Sequence, residues 1–221
     1  KLDALRCELG EKVVVLAMDL TRPEKLQKLA ERLQQSGVQV RYLVNNAGLA
    51  RMAPCESFDT ALIDDTVTLN CTVPAHLCNI CLPYMAPGSR VLTISSAASF
   101  QPMPYLALYA ASKAFERYYT RALHVELKGT GITATTVCPG WVKTDLLWQT
   151  HNGKPIYFPG LTQAGPVAAR ALRDADRGRT MSVYGWYARW LRGLAKLLPS
   201  GSLMAMWAHS AARYFKKQAA G

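Results

Sequence analysis

The sequence predicts a doubly wound α/β domain, in which a parallel sheet is covered by helices on both faces. Short apolar runs typical of buried strands alternate with longer stretches that carry apolar residues at helical spacing. Polar or turn-forming residues follow directly after each of these short runs. The chain has 221 residues, of which half are hydrophobic and 19% are charged, and this composition suits one domain with a sizeable core.

The predicted elements alternate in type along the chain, as strand–helix units of a parallel sheet do. Helices are expected over residues 1–9, before Gly37, over 58–84, and around Tyr109 as far as about Gly129. Strands are expected at Val13–Met18, Val40–Val44, Arg90–Ile94 and Ile132–Val137.

Each predicted strand is followed by residues that suit ligand binding. In chain order these are Asp19, Asn45-Asn46-Ala47-Gly48, Ser95-Ser96 and Pro139-Gly140. Because the carboxyl ends of parallel strands meet at one edge of a sheet, the sequence predicts a ligand site at that edge.

The excess positive charge lies in the last part of the chain. The net charge is +11, and eight basic residues but no acidic one occur between Arg177 and Gly221. We therefore expect a main domain over residues 1–176 and a basic amphipathic extension over 177–221 that packs on the domain or continues it.

One helical face of this extension carries Tyr187, Trp190, Leu191, Leu194, Leu197 and Leu198, and the opposite face carries Arg189, Arg192 and Lys196. Packing on the domain or on a second subunit is favoured, with contact of residues 180–217 with an anionic membrane surface as the alternative. No nucleic-acid reading motif accompanies the charge, so we expect no nucleic-acid partner.

The six cysteines indicate a reduced, cytoplasmic protein, with membrane association as a variant of that location. They fall within predicted elements and one loop rather than in a disulfide framework. Cys78 and Cys81 form a C-x-x-C pair, but no second pair lies at zinc-site spacing. We expect buried structural cysteines and no metal.

Several short motifs in a fixed order resemble those of the short-chain dehydrogenase/reductase family. Tyr and Lys four apart occur often by chance, but here a serine lies thirteen residues before the tyrosine and a strand-end N-N-A-G precedes both. The resemblance covers residues 11 to about 145, on Asn45-Asn46-Ala47-Gly48, Asn70, Ser96, Tyr109, Lys113 and Pro139-Gly140-Trp141-Val142-Lys143-Thr144. It implies a Rossmann-like fold and an NAD(P)(H)-dependent oxidoreductase that interconverts a carbonyl and a secondary alcohol.

The resemblance implies that Tyr109 is the general acid and base, and that Lys113, Ser96 and Asn70 assist it. Tyr109 and Lys113 are four residues apart, so they share one helix face. A phenol ordinarily ionises at about pH 10, and a neighbouring ammonium favours its phenolate form. Ser96 would orient the substrate carbonyl, and Asn70 would help to position a water that connects Lys113 to solvent. Ser95 is the other candidate for the role of Ser96. Side chains of neighbouring strand residues point to opposite faces of the sheet, so only one of the two serines should point into the site. The spacing in the family selects Ser96.

The same resemblance implies contacts with NAD(P)(H), of which NADP(H) is slightly favoured. Besides Tyr109 and Lys113, the implied contacts are Asp19 and Leu20 at the adenine, Asn45, Asn46, Ala47 and Gly48 along the adenosine half, Pro139 and Gly140 beneath the nicotinamide, and Val142 and Thr144 at its carboxamide and the pyrophosphate. The residue that would discriminate NAD from NADP does not occur in the matching part of the chain.

The chain departs from the family in one respect. Members begin with a strand and a T-G-x-x-x-G-x-G turn that cradles the pyrophosphate, and no such turn occurs here. We therefore expect a fragment, a truncated gene model or an incomplete N-terminus, and weak cofactor binding by the chain alone. A non-catalytic relative that keeps the fold for binding or scaffolding is the alternative function.

Residues 145–165 correspond to a substrate lid in this family. Leu146, Leu147, Trp148, Tyr157 and Phe158 give this segment an apolar character that indicates a hydrophobic substrate, such as a ketoacyl chain, a steroid-like ketone or an aromatic ketone. Packing or oligomer contact is the alternative role of the segment. A homodimer or homotetramer is expected.

Overall fold

The structure, a computed structural model, describes residues 2–10, 13–147, 150–151 and 154–215. Its strands are β1 (Tyr42–Asn45), β2 (Arg90–Ile94), β3 (Thr133–Pro139), β4 (Thr150–His151), β5 (Lys154–Pro155) and β6 (Met181–Tyr184). Its helices are α1 (Leu2–Leu9), α2 (Pro23–Ser36), α3 (Thr60–Val67), α4 (Val73–Cys81), α5 (Ala107–Glu126), α6 (Ala164–Asp176), α7 (Trp186–Leu197) and α8 (Ser200–Phe215). Four strands form a parallel sheet in the order β1-β2-β3-β6, and β4 and β5 form a separate antiparallel pair.

Apolar side chains on both faces of the sheet hold it between helices. On one face, Leu92 and Val137 pack with residues of α6 such as Ala171. On the other face, Val91 packs with Leu123 of α5 and with other buried residues. The predicted fold class, a parallel sheet covered on both faces, is therefore confirmed.

The strand predicted at Val13–Met18 does not form, and this prediction was wrong. These residues have no regular structure, and Val14 is 68% exposed. A strand requires a hydrogen-bonded neighbour, and in the described residues β1 is the edge strand of the sheet. Apolar character alone does not make this segment a strand without a partner.

The helix predicted over residues 58–84 is divided by a π-helical turn at Thr68–Thr72. There the Val73 amide donates to the Thr68 carbonyl, five residues earlier. Pro74 lacks an amide hydrogen, so the Asn70 carbonyl receives no ordinary α-helical bond from it. This proline accounts for the irregular turn, and π turns inside helices are frequent at functional sites.

Residues beyond Arg177 contribute to the sheet and to its cover. β6 pairs with β3 in parallel, and α7 buries Ala188 and Leu191 against the domain. The other end of the apolar face of α7 is open, since Leu197 is 81% exposed. The division at residue 177 and the contact of this face with a second subunit or a membrane stay predictions. Of the helices in the described residues, none is both long and apolar enough to cross a bilayer.

The cysteines are free thiols, and those of the C-x-x-C pair are buried as expected. Burial raises the pKa of the Cys78 thiol to about 11 and also raises the pKa of Cys81. A raised thiol pKa lowers the thiolate fraction, which argues against a redox pair. The described part of the chain contains no cluster of three or more acidic, His or Cys side chains able to hold a metal ion.

Candidate active site

Helix α5 carries Tyr109 and Lys113 one turn apart, where it packs against β2 and β3. The Lys113 ammonium lies 5.7 Å from the centroid of the Tyr109 ring. It also donates a hydrogen bond of 2.8 Å to the Ile94 carbonyl at the end of β2. The ammonium is therefore fixed between the sheet edge and the tyrosine, as the shared helix face predicts.

The two serines after β2 make different contacts. The Ser95 hydroxyl is buried and donates to the Lys113 carbonyl at 2.7 Å. The Ser96 hydroxyl is half-buried and accepts from the Ala98 amide at 3.1 Å, where it caps a short 3-10 turn. Ser95 is thus used to hold α5 against the sheet. The substrate-orienting role of Ser96 stays a prediction.

Asn70 joins the loop after β1 to helix α5. Its amide oxygen accepts from the Leu49 amide, and its amide nitrogen donates to the Leu49 carbonyl, both at 2.8 Å. The nitrogen also donates to the Ser112 hydroxyl at 2.9 Å, and that hydroxyl donates to the Tyr109 carbonyl. Both N–H groups of the side chain are therefore used within the protein. Asn70 has a structural role in the site, and its role in positioning water stays a prediction.

Gly48 allows Asn70 and Lys113 to approach the loop closely. A Cβ atom at this position would lie 3.2 Å from the Asn70 amide oxygen and 3.3 Å from the Lys113 ammonium nitrogen. Both distances are shorter than ordinary van der Waals contacts. A side chain at this position would therefore require Asn70 and Lys113 to shift by a few tenths of an ångström.

The other predicted cofactor residues divide into two groups. Asn45 ends β1 and is followed by Asn46 and Ala47. Pro139 ends β3 and is followed by Gly140, with Val142 and Thr144 shortly after. Asp19 and Leu20 instead lie in a turn before α2, where the exposed Asp19 carboxylate accepts from Thr21 and pairs with Arg22. These bonds lower the pKa of Asp19. The expectation that Asp19 follows a strand of the sheet was wrong, because the preceding strand does not form.

The Lys113 ammonium keeps one N–H group for a dinucleotide. Within the described part of the chain, Lys113 uses two of its N–H groups, on Ile94 and Glu116, and a third remains for a ribose hydroxyl. The buried amide oxygen of Asn45 has no hydrogen-bond partner there. The remaining N–H group of Lys113 suits a ribose hydroxyl of the nicotinamide half, whereas the Asn45 oxygen is buried and the contact of Asn45 with the adenosine half stays a prediction. The glycine-rich turn that would hold the pyrophosphate does not occur in the sequence.

Tyr109 packs against an apolar cluster that helical and strand periodicity does not predict. Tyr109, Met52 and Trp207 of α8 are partly buried, and each packs against a buried cluster of Ala98, Met103, Leu106 and Ala110. The Trp207 indole donates to the Pro104 carbonyl at 2.8 Å, which fixes its orientation. We call Met52, Met103, Leu106 and Trp207 the apolar wall. Only the tertiary fold brings these parts of the chain together, so periodicity gave no signal for the wall.

Part of the predicted lid packs on aromatic side chains. The rings of Phe158 and Trp141 lie 4.8 Å apart, and Trp141 also contacts Tyr187 of α7. Backbone hydrogen bonds from Lys143 to Thr162 and from Thr162 to Trp141 pair the segment before the lid with the last part of the lid. Tyr157 and Leu146 are exposed, and Trp148 lies outside the described residues. The lid role stays a prediction.

Comparison with known proteins gives relatives among reductases and dehydrogenases. The very-long-chain 3-oxoacyl-CoA reductase of Bos taurus is 33% identical over 156 residues, which are 66% of this chain and 49% of that protein. The 17-beta-hydroxysteroid dehydrogenase type 3 of Danio rerio is 35% identical over 153 residues, which are 66% of this chain and 48% of that protein. The chain spans about half the length of these relatives.

A solved structure and a family model agree with these relatives. A short-chain dehydrogenase from Sphingobium yanoikuyae in complex with NADPH superposes with a TM-score of 0.71 and 27% identity, over 88% of this chain and 80% of that one. The family model described as short chain dehydrogenase matches residues 1–155. Since this match covers more than half of the sequence, the chain belongs to the short-chain dehydrogenase family.

Proposed function

We propose that this chain is an NAD(P)(H)-dependent oxidoreductase that interconverts a carbonyl and a secondary alcohol on a hydrophobic substrate. The observation that carries the proposal is the position of Tyr109. Its half-buried ring has the Lys113 ammonium 5.7 Å from its centroid and packs against the apolar cluster that contains Met103 and Leu106. A proton donor is thus held at the boundary between a charged group and an apolar surface.

Each residue of the site has a defined task in this proposal. The Tyr109 hydroxyl gives a proton to the substrate oxygen during reduction and takes it back during oxidation. The Lys113 ammonium stabilises negative charge on the phenol oxygen, and the Ser96 hydroxyl donates to the substrate carbonyl to orient it. Asn70 and Gly48 hold the loop after β1 against Lys113.

The nicotinamide group, when bound, supplies or accepts the hydride. Lys113 would donate to its ribose, and Pro139, Gly140, Val142 and Thr144 would lie against its nicotinamide side. We keep NADP(H) as the slightly favoured form, which is supported by the NADPH in the complex from Sphingobium yanoikuyae.

The substrate class follows from the surroundings of Tyr109. Met52 and Trp207 are partly exposed, uncharged side chains of the cluster against which Tyr109 packs, which favours an extended apolar ketone over a small polar one. The names of the two relatives, a very-long-chain 3-oxoacyl-CoA reductase and a hydroxysteroid dehydrogenase, support this class. We propose a 3-oxoacyl thioester with a long chain as the first substrate to test.

A panel of ketones tests this proposal. NADPH and NADH oxidation would be followed with 3-oxoacyl thioesters of increasing chain length, a steroid ketone and a short aliphatic ketone. Each buried methylene contributes about 0.8 kcal/mol, so kcat/KM should rise about fourfold per added methylene while the chain still gains contact with the apolar wall.

The matched variant for this panel is Trp207→Leu, which shortens the wall without adding charge. It should reduce the preference for long chains and leave turnover of the short ketone little changed. Equal kcat/KM for short and long ketones would contradict the substrate class. If none of the ketones is turned over although the nucleotide binds, the non-catalytic alternative replaces the proposal.

A further inference from the structure

Glu116 is a buried carboxylate beside the candidate active site. Its side chain is 1% exposed, and one carboxylate oxygen lies 2.9 Å from the Lys113 ammonium nitrogen, which is itself in a side chain only 5% exposed. The other carboxylate oxygen is buried and has no hydrogen-bond partner in the described part of the chain. Since burying a charged group is unfavourable, a buried ion pair of this kind is weak evidence for a purely stabilising role.

The position of Glu116 in α5 puts it in line with the proposed proton donor. Tyr109, Lys113 and Glu116 are spaced by four and three residues, so all three lie on one face of the helix. The Lys113 ammonium contacts the Glu116 carboxylate at 2.9 Å and lies 5.7 Å from the centroid of the Tyr109 ring. The charge next to Tyr109 therefore depends on whether Glu116 is ionised.

Glu116 changes its ionisation in the pH range where the protein would act. Burial raises the pKa of the Glu116 carboxyl to about 7, and the positive charge of Lys113 opposes part of that shift. Several ionisable groups lie on the elements packed against α5. Burial, and to a smaller extent the charge of Glu116, raise the pKa of the Cys71 thiol in the π turn to about 11. The others are Asp64 and Asp65 of α3, which are exposed, Arg90 of β2, and Cys138 of β3, which is buried beside Ser99 and Thr136. Lys113 is the cation that faces Glu116.

We propose that Glu116 is a positioning residue that acts through Lys113: its carboxylate holds the ammonium and offsets the positive charge that Lys113 presents to Tyr109. This inference rests on the proposed role of Tyr109 as general acid and base. An ionised Glu116 makes the pair with Lys113 neutral, which favours the protonated phenol. A protonated Tyr109 is the form that reduces a carbonyl, so Glu116 biases the site toward reduction at neutral and mildly alkaline pH.

The test compares the wild type with Glu116→Gln, which removes the charge and keeps the shape. Isotope-edited NMR of the tyrosine ring carbons, assigned with Tyr109→Phe, follows the titration of Tyr109 in the protein without cofactor. Loss of one unit charge a few ångströms beyond Lys113 should move the midpoint of this titration to lower pH by about one unit. The alkaline limb of the kcat/KM profile for ketone reduction should move in the same direction.

The matched control is Asp174→Asn on α6. Asp174 is an equally buried carboxylate that pairs with Arg170 and Arg179 away from Tyr109. Its substitution should leave the Tyr109 titration unchanged, whereas a general loss of packing would disturb the titration in both variants. Glu116→Asp keeps the charge at shorter reach and should restore most of the wild-type midpoint.

A second measurement needs no variant to fold. Because the two groups are coupled, the Tyr109 resonance of the wild type should show a small inflection where the Glu116 carboxyl carbon titrates. A Tyr109 titration that is identical in wild type and Glu116→Gln, or that lacks this inflection, overturns the inference. Retained turnover in Tyr109→Phe would instead overturn the proposed function, so the two failures are distinguishable.

Discussion

Tyr109→Phe is expected to lower kcat for ketone reduction by about a thousandfold, since a positioned general acid contributes about 10²–10⁴-fold to the rate. The substitution removes one oxygen and leaves the ring in place against the apolar cluster that contains Met103 and Leu106. The apolar wall and the fold should therefore be preserved. Steady-state kinetics gives the loss of turnover, and NADPH fluorescence checks that nucleotide binding is largely unchanged.

Tyr118→Phe is the matched control for this substitution. Tyr118 lies on the same helix but is 65% exposed, and its ring contacts the Arg117 guanidinium rather than Lys113. It should retain full turnover. A Tyr109→Phe variant that reduces ketones as fast as Tyr118→Phe would refute the assignment of the proton donor.

Lys113→Met is expected to lose turnover to a similar degree and also to lose stability. The substitution removes the charge that favours the phenolate of Tyr109, and it leaves Glu116 as a buried carboxylate without its cation. Removal of one partner of a buried ion pair lowers the free energy of unfolding by about 3–5 kcal/mol. Urea unfolding at acid and at mildly alkaline pH measures this effect.

The pH dependence of that loss follows from the ionisation of Glu116. In the folded wild type, the pKa of the Glu116 carboxyl is raised from 4.5 to about 7. The protonated carboxyl therefore contributes stability that is fully present below pH 4.5. This contribution is lost as the pH rises through about 7. Without Lys113, the ionised Glu116 carboxylate has no cation beside it. The decrease in the free energy of unfolding between acid and alkaline pH therefore becomes larger. Lys113→Met should therefore be close to wild-type stability in acid and weakest above neutral pH.

The double variant Lys113→Met/Glu116→Gln separates the two effects. It removes both charges, so it should recover most of the stability that Lys113→Met loses but none of the turnover. Stability of Lys113→Met that does not depend on pH would contradict the ion-pair account. Recovered turnover in the double variant would contradict the role of the ammonium beside Tyr109.

The parts of the fold that depend on local pattern could be predicted from the sequence. β2, β3 and α5 have their own periodicity and end signals, and the residues that follow β1, β2 and β3 meet at one edge because the strands are parallel. The motif around Tyr109 and Lys113 could be predicted for the same reason, since helical spacing alone places the two side chains on one face.

Features that depend on distant parts of the chain could not be predicted in this way. Val13–Met18 has a strand-like composition, but a strand forms only where another strand supplies hydrogen bonds. Trp207 reaches the cluster beside Tyr109 only through the packing of α8. A charged residue on a helix, such as Glu116, is usually solvated. Pro74 is different, because it is a local signal for the irregular turn at Asn70 that the sequence analysis did not use.

Transfer of deuterium tests the central claim most directly. The chain would be incubated with NADPH that carries deuterium at the transferred position of the nicotinamide and with a long-chain 3-oxoacyl thioester, and the product would be analysed by mass spectrometry. We expect one deuterium on the carbon that bears the new hydroxyl in the wild type, and a yield lower by about 10²–10⁴-fold in Tyr109→Phe. No deuterated alcohol from the wild type, or equal yields from the two proteins, would contradict the account.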